Sequence, residues 1–216
     1  MNRDWIEKTE AFLKESFEAA AHLKAAPEQK AYRIAHSYRV ANIGREIAKA
    51  EGFDETEMVV ACLLHDVAYS VDFGEQDYRD HGRVSAKLAR PFLQSLGMAK
   101  DRIDDVCYGI AIHVDDEADF AGVRTPFALS VGDADNIDRF DAYRIHAWLC
   151  RDGFIDMTEE EQRAYVKKRL SRLTELMDVP MGTETAARLW KERLTFNRTF
   201  FEKLADQMAN STSIPD

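Results

Sequence analysis

Cysteine is scarce in this chain. Its three residues, Cys62, Cys107 and Cys150, are far apart, odd in number and without CxxC spacing. That excludes a disulfide framework and a thiolate zinc site. Long apolar runs are missing too: the longest, Met58 to Leu64, is far too short to span a bilayer. Asp4, Glu7, Lys8, Glu10, Lys14 and Glu15 interrupt the first residues, so no signal-peptide core is present there. A cytoplasmic protein without membrane attachment is the expectation. Excess positive charge is also absent. With 39 acidic against 29 basic residues the net charge is −10, a field that repels an extended nucleic acid backbone. A small phosphorylated partner stays compatible, because a bound cation inverts the local sign.

Alternation of the half-buried strand type is missing as well, and so are repeats and low-complexity tracts. What remains is the helical period along nearly the whole chain. With 216 residues, 45% hydrophobic and 31% charged, the chain suffices for one domain with a real core, or a domain plus a helical annex. Trp5, Phe12, Leu13 and Phe17 begin a helix that Pro27 ends. A second runs from about Glu28 to Ala50, with Gly52 as its stop. Asp54 and Glu57 have capping-box spacing and Phe53 and Met58 the positions of a hydrophobic staple, so a third helix runs from there to His65-Asp66. A polar stretch follows. The next helix spans about Gly82 to Leu96, where Pro91 is expected to kink or split it. Asp101 caps another that reaches His113, and Thr125-Pro126 opens the next. After Gly153 the chain is charge-rich and lacks histidine; Thr158 with Glu161 forms a capping box and Thr183 caps a last long helix.

The six histidines are the informative feature. His36 shares a face with Val40, Ile43 and Ile47; His65 ends the stripe Met58, Ala61, Cys62; His113 ends Ile103, Val106, Ile110. A single imidazole on an apolar face is ordinarily a satisfied core residue. Several in one core are costly unless they share a cation. His65-Asp66 at a helix end can deliver a nitrogen and a carboxylate to the same ion, and Asp133-Ala134-Asp135 lies downstream. His22 and His146 match no pattern.

The order His36, His65-Asp66, Asp135, with the local texts HSYRVANIGREIA, VVACLLHDVAYS and SVGDADNIDRF, resembles the HD-domain superfamily of metal-dependent phosphohydrolases over about residues 30 to 145. The resemblance implies an all-α fold. An HD-type helical bundle would occupy residues 1–150, and an additional C-terminal helical segment, 151–216, would pack on the same domain. It further implies His36, His65, Asp66 and a later aspartate as ligands of one divalent metal. The family's Ala-Asp pair favours Asp135; periodicity alone leaves Asp133 as the alternative. Branches with two further histidines hold a second metal. His81 and His113 lie in those intervals, with Asp66 then bridging, although His81 reads equally as a solvent-touching residue at a helix start. The glycine-tyrosine-proline signature of the cyclic-dinucleotide phosphodiesterases is missing after His113, so no substrate carries over.

Imidazole and carboxylate donors suit Mn²⁺, Fe²⁺, Ni²⁺, Co²⁺ or Zn²⁺ better than Ca²⁺. Asp66 is the carboxylate to orient or deprotonate an attacking water. Arg39, one turn after His36, is the first choice for holding phosphate, ahead of Arg83, Lys87 and Arg139; Asp138 is expected to cap or orient neighbours. The residues between Tyr69 and Asp80 read as a lid or rim. The expected activity is metal-dependent hydrolysis of a small phosphate ester, a nucleotide or related metabolite, as a phosphomonoesterase or phosphodiesterase. Two alternatives stay open: a diiron oxygenase of the same fold, and a non-catalytic regulatory module that binds a nucleotide or metal. The aromatics of the C-terminal helix fit a homodimer contact or a core equally well.

Overall fold

The computed structural model describes residues 1–73, 80–115 and 119–211, and these form helices and connections without a strand. In chain order the helices are α1 (Arg3–Ala19), α2 (Pro27–Glu51), α3 (Glu55–Leu64), α4 (His81–Ser95), α5 (Lys100–Ile112), α6 (Pro126–Arg139), α7 (Ala142–Arg151), α8 (Glu159–Leu176) and α9 (Glu184–Ala209). The all-α expectation therefore holds. Most of the stops and starts have the chemistry read from the sequence. Gly52 ends α2 at φ 77°, a left-handed position that favours glycine. Asp54 accepts from the backbone N–H groups of Thr56 and Glu57 at the head of α3. Thr125 Oγ1 accepts from Ala128 N with Pro126 first in α6. The Thr158–Glu161 capping box opens α8, and Thr183 Oγ1 accepts from Ala186 N.

Three local expectations are corrected. The first helix stops at Ala19, and a 3-10 turn spans Ala21–Ala25 before Pro27. Helix α4 runs unbroken through Pro91. Pro91 therefore does not split it: the missing N–H removes a single bond to the carbonyl of Lys87, in a helix held by its buried face. Helix α5 begins at Lys100 after Ala99, so Asp101 sits inside the first turn instead of capping it. There its charge still favours the positive end of the helix dipole.

The chain divides into two compact units, 1–138 with 181–186, and 139–180 with 187–216. In the first unit α3 is the central rod: its residues from Met58 to Leu64 are all buried. Helices α1, α2, α4 and α5 pack against it, and α4 lies along α5. Leu13 and Phe17 of α1, Val40 and Ile47 of α2 and Ile110 of α5 complete that core. Helix α6 approaches α5 at two glycines. A Cβ on Gly109 would stand 3.1 Å from Ala128 Cα, and one on Gly132 would stand 3.2 Å from His113 Cα. Larger residues would hold the helices apart, and with them the groups at their ends.

In the second unit α7, α8 and most of α9 surround an aromatic core. Phe140 meets Trp148 and Trp190 edge-on, Arg169 lies 4.3 Å over the Trp148 ring, and Trp190 Nε1 donates to Leu176 O. Of the α9 aromatics, Phe201 is fully buried, whereas Phe196 and Phe200 are exposed. No helix among the described residues is long and apolar enough to cross a membrane.

Candidate metal centre

Five helices of the first unit deliver polar groups to one buried point. His36 comes from the middle of α2; His65, at the C-cap of α3, and Asp66 come from the next two positions of the chain. His81 is the first residue of α4, His113 follows the last residue of α5, and Asp135 lies in α6. All six are buried. The helix ends explain the placement: an apolar stripe buries the helix, and the residue that closes it is carried inward with it.

The nitrogens converge in two pairs. His36 Nε2 lies 3.3 Å from His65 Nε2, and His81 Nε2 lies 3.2 Å from His113 Nε2. Asp66 stands between the pairs. Its Oδ2 is 3.6 Å from both His36 and His65 Nε2, and its Oδ1 is 3.3 Å from His81 Nε2 and 3.5 Å from His113 Nε2. Asp135 Oδ1 joins the first pair, 3.1 Å from His36 Nε2 and 3.9 Å from that of His65. Donor atoms at about 2.1 Å from a shared ion are themselves separated by about 3.0 to 3.4 Å, so the imidazole spacings fit common ligation.

Hydrogen bonding at the far ring nitrogens shows why a cation fits. His65 Nδ1 donates to Cys62 O and His113 Nδ1 to Ile110 O, each at 2.7 Å. His36 Nδ1 donates to Asp138 Oδ2 at 2.7 Å. These bonds fix the tautomers of the neutral rings, in which each Nε2 turns a bare lone pair toward other lone pairs and carboxylate oxygens. Such a buried gathering of acceptors needs a positive charge at its centre. The residues His36, His65 and Asp66 form one set able to hold an ion, and Asp66, His81 and His113 another; His65, His113 and Asp135 also lie close enough to share one.

The electrostatics say the same. Burial opposes a charge on His36, but its bonds to Asp135 and Asp138 outweigh it and lift the imidazole to about 9. Burial dominates at His65, which falls to about 4 and stays neutral. Burial would raise the carboxyls of Asp66 and Asp135, yet the surrounding imidazoles hold both well below the usual range. At neutral pH the metal-free cluster therefore keeps a proton on His36, and a cation must displace it. Mn²⁺ binding at pH 7 is expected to release about one proton for the first ion, and affinity to fall about tenfold per pH unit below 9. Calorimetric titration in two buffers of different ionisation enthalpy measures this; binding without proton release contradicts it.

Other sequence expectations fall into place around the cluster. Asp133 turns away from it, its Oδ2 accepting from Gly182 N at 2.8 Å, while Asp135 turns in. Arg39, the first choice for holding phosphate, pairs with Asp138. Its Nε donates to Asp138 Oδ1 at 2.6 Å and its Nη2 to Oδ2 at 3.2 Å. Among the described residues, Arg33, not singled out from the sequence, also reaches the cluster. Its Nη1 donates to Asp66 Oδ2 at 2.9 Å and its guanidinium lies 3.4 Å over the Tyr69 ring. The signal was present, since Arg33 precedes His36 by three and shares its face. Arg83 pairs with Asp80. His22 Nε2 meets Tyr69 O, and His146 faces Cys150 on α7. Of the segment read as a lid, residues 74–79 lie outside the described residues, as do 116–118 of the acidic stretch after His113.

Comparison with known proteins identifies a family and a shared fold. A family model described as HD domain matches residues 33–143. A crystal structure described as a predicted HD superfamily hydrolase from an uncultured Thermotogales bacterium superposes with a TM-score of 0.60 at 20% identity. The match covers 95% of this chain and 91% of the other, and it shows a shared fold. None of the curated proteins matches the sequence.

Proposed function

This chain belongs to the HD-domain family, and on that premise we propose that it hydrolyses a small phosphate ester, a nucleotide or related metabolite, at a centre of two divalent transition-metal ions. The observation that carries the reading is Asp66, whose two oxygens face different imidazole pairs. His36, His65, Asp66 and Asp135 would hold one ion, and Asp66, His81 and His113 the other. When bound, the ions supply Lewis acidity, neutralising charge on the phosphoryl group and making water more acidic. Donors of nitrogen and oxygen without thiolate favour Mn²⁺, Fe²⁺, Ni²⁺, Co²⁺ or Zn²⁺.

The protein's own groups supply position and charge. Asp66, ionised far below neutrality, orients the attacking water and is a weak acceptor of its proton. The backbone carbonyls behind His65 and His113 keep those rings from turning. Arg33 is the group for the phosphoryl oxygens. It already pairs with an anionic oxygen at the cluster, and the Tyr69 ring holds its guanidinium plane in place.

Hydrolysis of p-nitrophenyl phosphate and of bis-p-nitrophenyl phosphate after Mn²⁺ loading tests the activity and separates monoester from diester cleavage. Loss of turnover on chelation and its return with metal are expected. A fully metal-loaded protein inert toward both esters and a panel of nucleotides contradicts the reading. The same six donors also suit the oxygenase alternative, which bound iron with dioxygen consumption would support instead. For Arg33→Ala, a charged hydrogen bond worth about 1.5 to 3 kcal/mol converts to a KM higher by roughly 10- to 100-fold, with metal content unchanged. An unaltered KM would remove Arg33 from the substrate site.

A further inference from the structure

His36 is supported differently from its neighbours. His65 and His113 lean on main-chain carbonyls three residues back, whereas His36 Nδ1 rests on a carboxylate brought from α6, Asp138, 102 residues further along the chain. That carboxylate is itself gripped at both oxygens by Arg39 and is 2% exposed. An ionised partner makes an imidazole a stronger donor than a neutral carbonyl does, and the arginine fixes the plane in which it acts. The same half of the cluster holds Asp135 against His36 and His65. In the other half, His81 and His113 share Asp66 Oδ1.

We propose that Asp138, clamped by Arg39, is a positioning residue that makes the His36–His65–Asp66–Asp135 half the tighter cation position, so that the centre loads in order. The first ion enters that half and the second the His81–His113 half. The inference rests on the two-ion reading above but not on hydrolysis. At low metal supply the protein then holds a single ion, and the second site sets the threshold at which the pair is complete.

The test is a Mn²⁺ titration of the chelator-stripped full chain, followed by electron paramagnetic resonance. The wild type is expected to show an isolated-ion signal up to one equivalent, and spin coupling that grows only with the second. Asp138→Asn keeps an acceptor on His36 but removes the charge; it is expected to weaken the first step by about 10- to 100-fold and leave the second where it was. Arg39→Met should move the same step less. The double variant should fall short of the sum of the two, because both act through His36. Melting of the metal-free proteins reports their folding. If Asp138→Asn does not fold, Arg39→Met alone decides, by weakening the first step or both equally. Coupled spins from the first addition to wild type, or equal weakening of both steps, overturn the proposal. Ordered loading without hydrolysis counts against the proposed activity alone, and hydrolysis with two equal steps counts against this inference alone.

Discussion

Asp66→Ala is expected to leave the protein folded and empty. Each imidazole pair loses its oxygen of Asp66, so elemental analysis should find less than one metal per chain where two are proposed for wild type. Hydrolysis should fall by at least about 10³-fold, the scale seen when charge stabilisation at a reacting group is removed. The fold should survive. Asp66 and Asp135 repel one another across the cluster, and its partner Arg33 is partly exposed and can return to water. A melting temperature of the metal-free variant within a few degrees of wild type is therefore the companion result. Asp135→Ala makes the contrast: it touches the first pair and should spare ion binding at His81 and His113. Two ions retained by Asp66→Ala would end the bridging role.

Gly82→Ala should damage the centre from outside it. Gly82 follows His81 at the start of α4, where the helix touches α5. A methyl there would stand 2.6 Å from Ala111 O, 3.1 Å from Ile110 O and 3.2 Å from His113 Nδ1. Two of these are main-chain atoms of a packed helix and cannot swing aside as a side-chain tip would. Overpacking of this kind costs about 1 to 3 kcal/mol, a loss of roughly 2 to 12 °C in melting temperature for a chain of this size. The strain lands on the carbonyl that orients His113. The second ion should thus be lost at metal concentrations that still fill the first position. Melting and Mn²⁺ stoichiometry together measure it; a variant matching wild type in both would show that α4 and α5 separate freely.

Much of this was legible in the chain itself, because helix periodicity and caps are local. The stripes ending in His65 and His113 needed only the 3.6-residue period, and Asp54, Thr125 and Thr158 cap as their residue types dictate. What escaped was decided by partners distant in sequence. Arg33 and Arg39 flank His36 symmetrically at three residues on either side, so helical spacing gives them equal claim. Asp138, about a hundred residues away, takes Arg39 and leaves Arg33 with Asp66. Asp133 and Asp135 were equally inseparable by period, and the peptide nitrogen of Gly182 engages the first. Pro91 does not split α4, because one missing bond is outweighed where the helix buries a continuous face.

Three of the six donors sit at helix ends: His65 closes α3, His81 opens α4 and His113 closes α5. The rods carry these groups; a partly buried turn, Val67–Ser70, follows Asp66 before the connection to α4, and the connection after α5 begins just beyond His113. Connections of this kind tolerate changes in length and sequence and often carry specificity in folded proteins, while the rods hold the six groups in place. For an engineer the same layout separates two design problems, since changes can be written into the segments after Ser70 and His113 while the six-residue cluster and Tyr69 are kept.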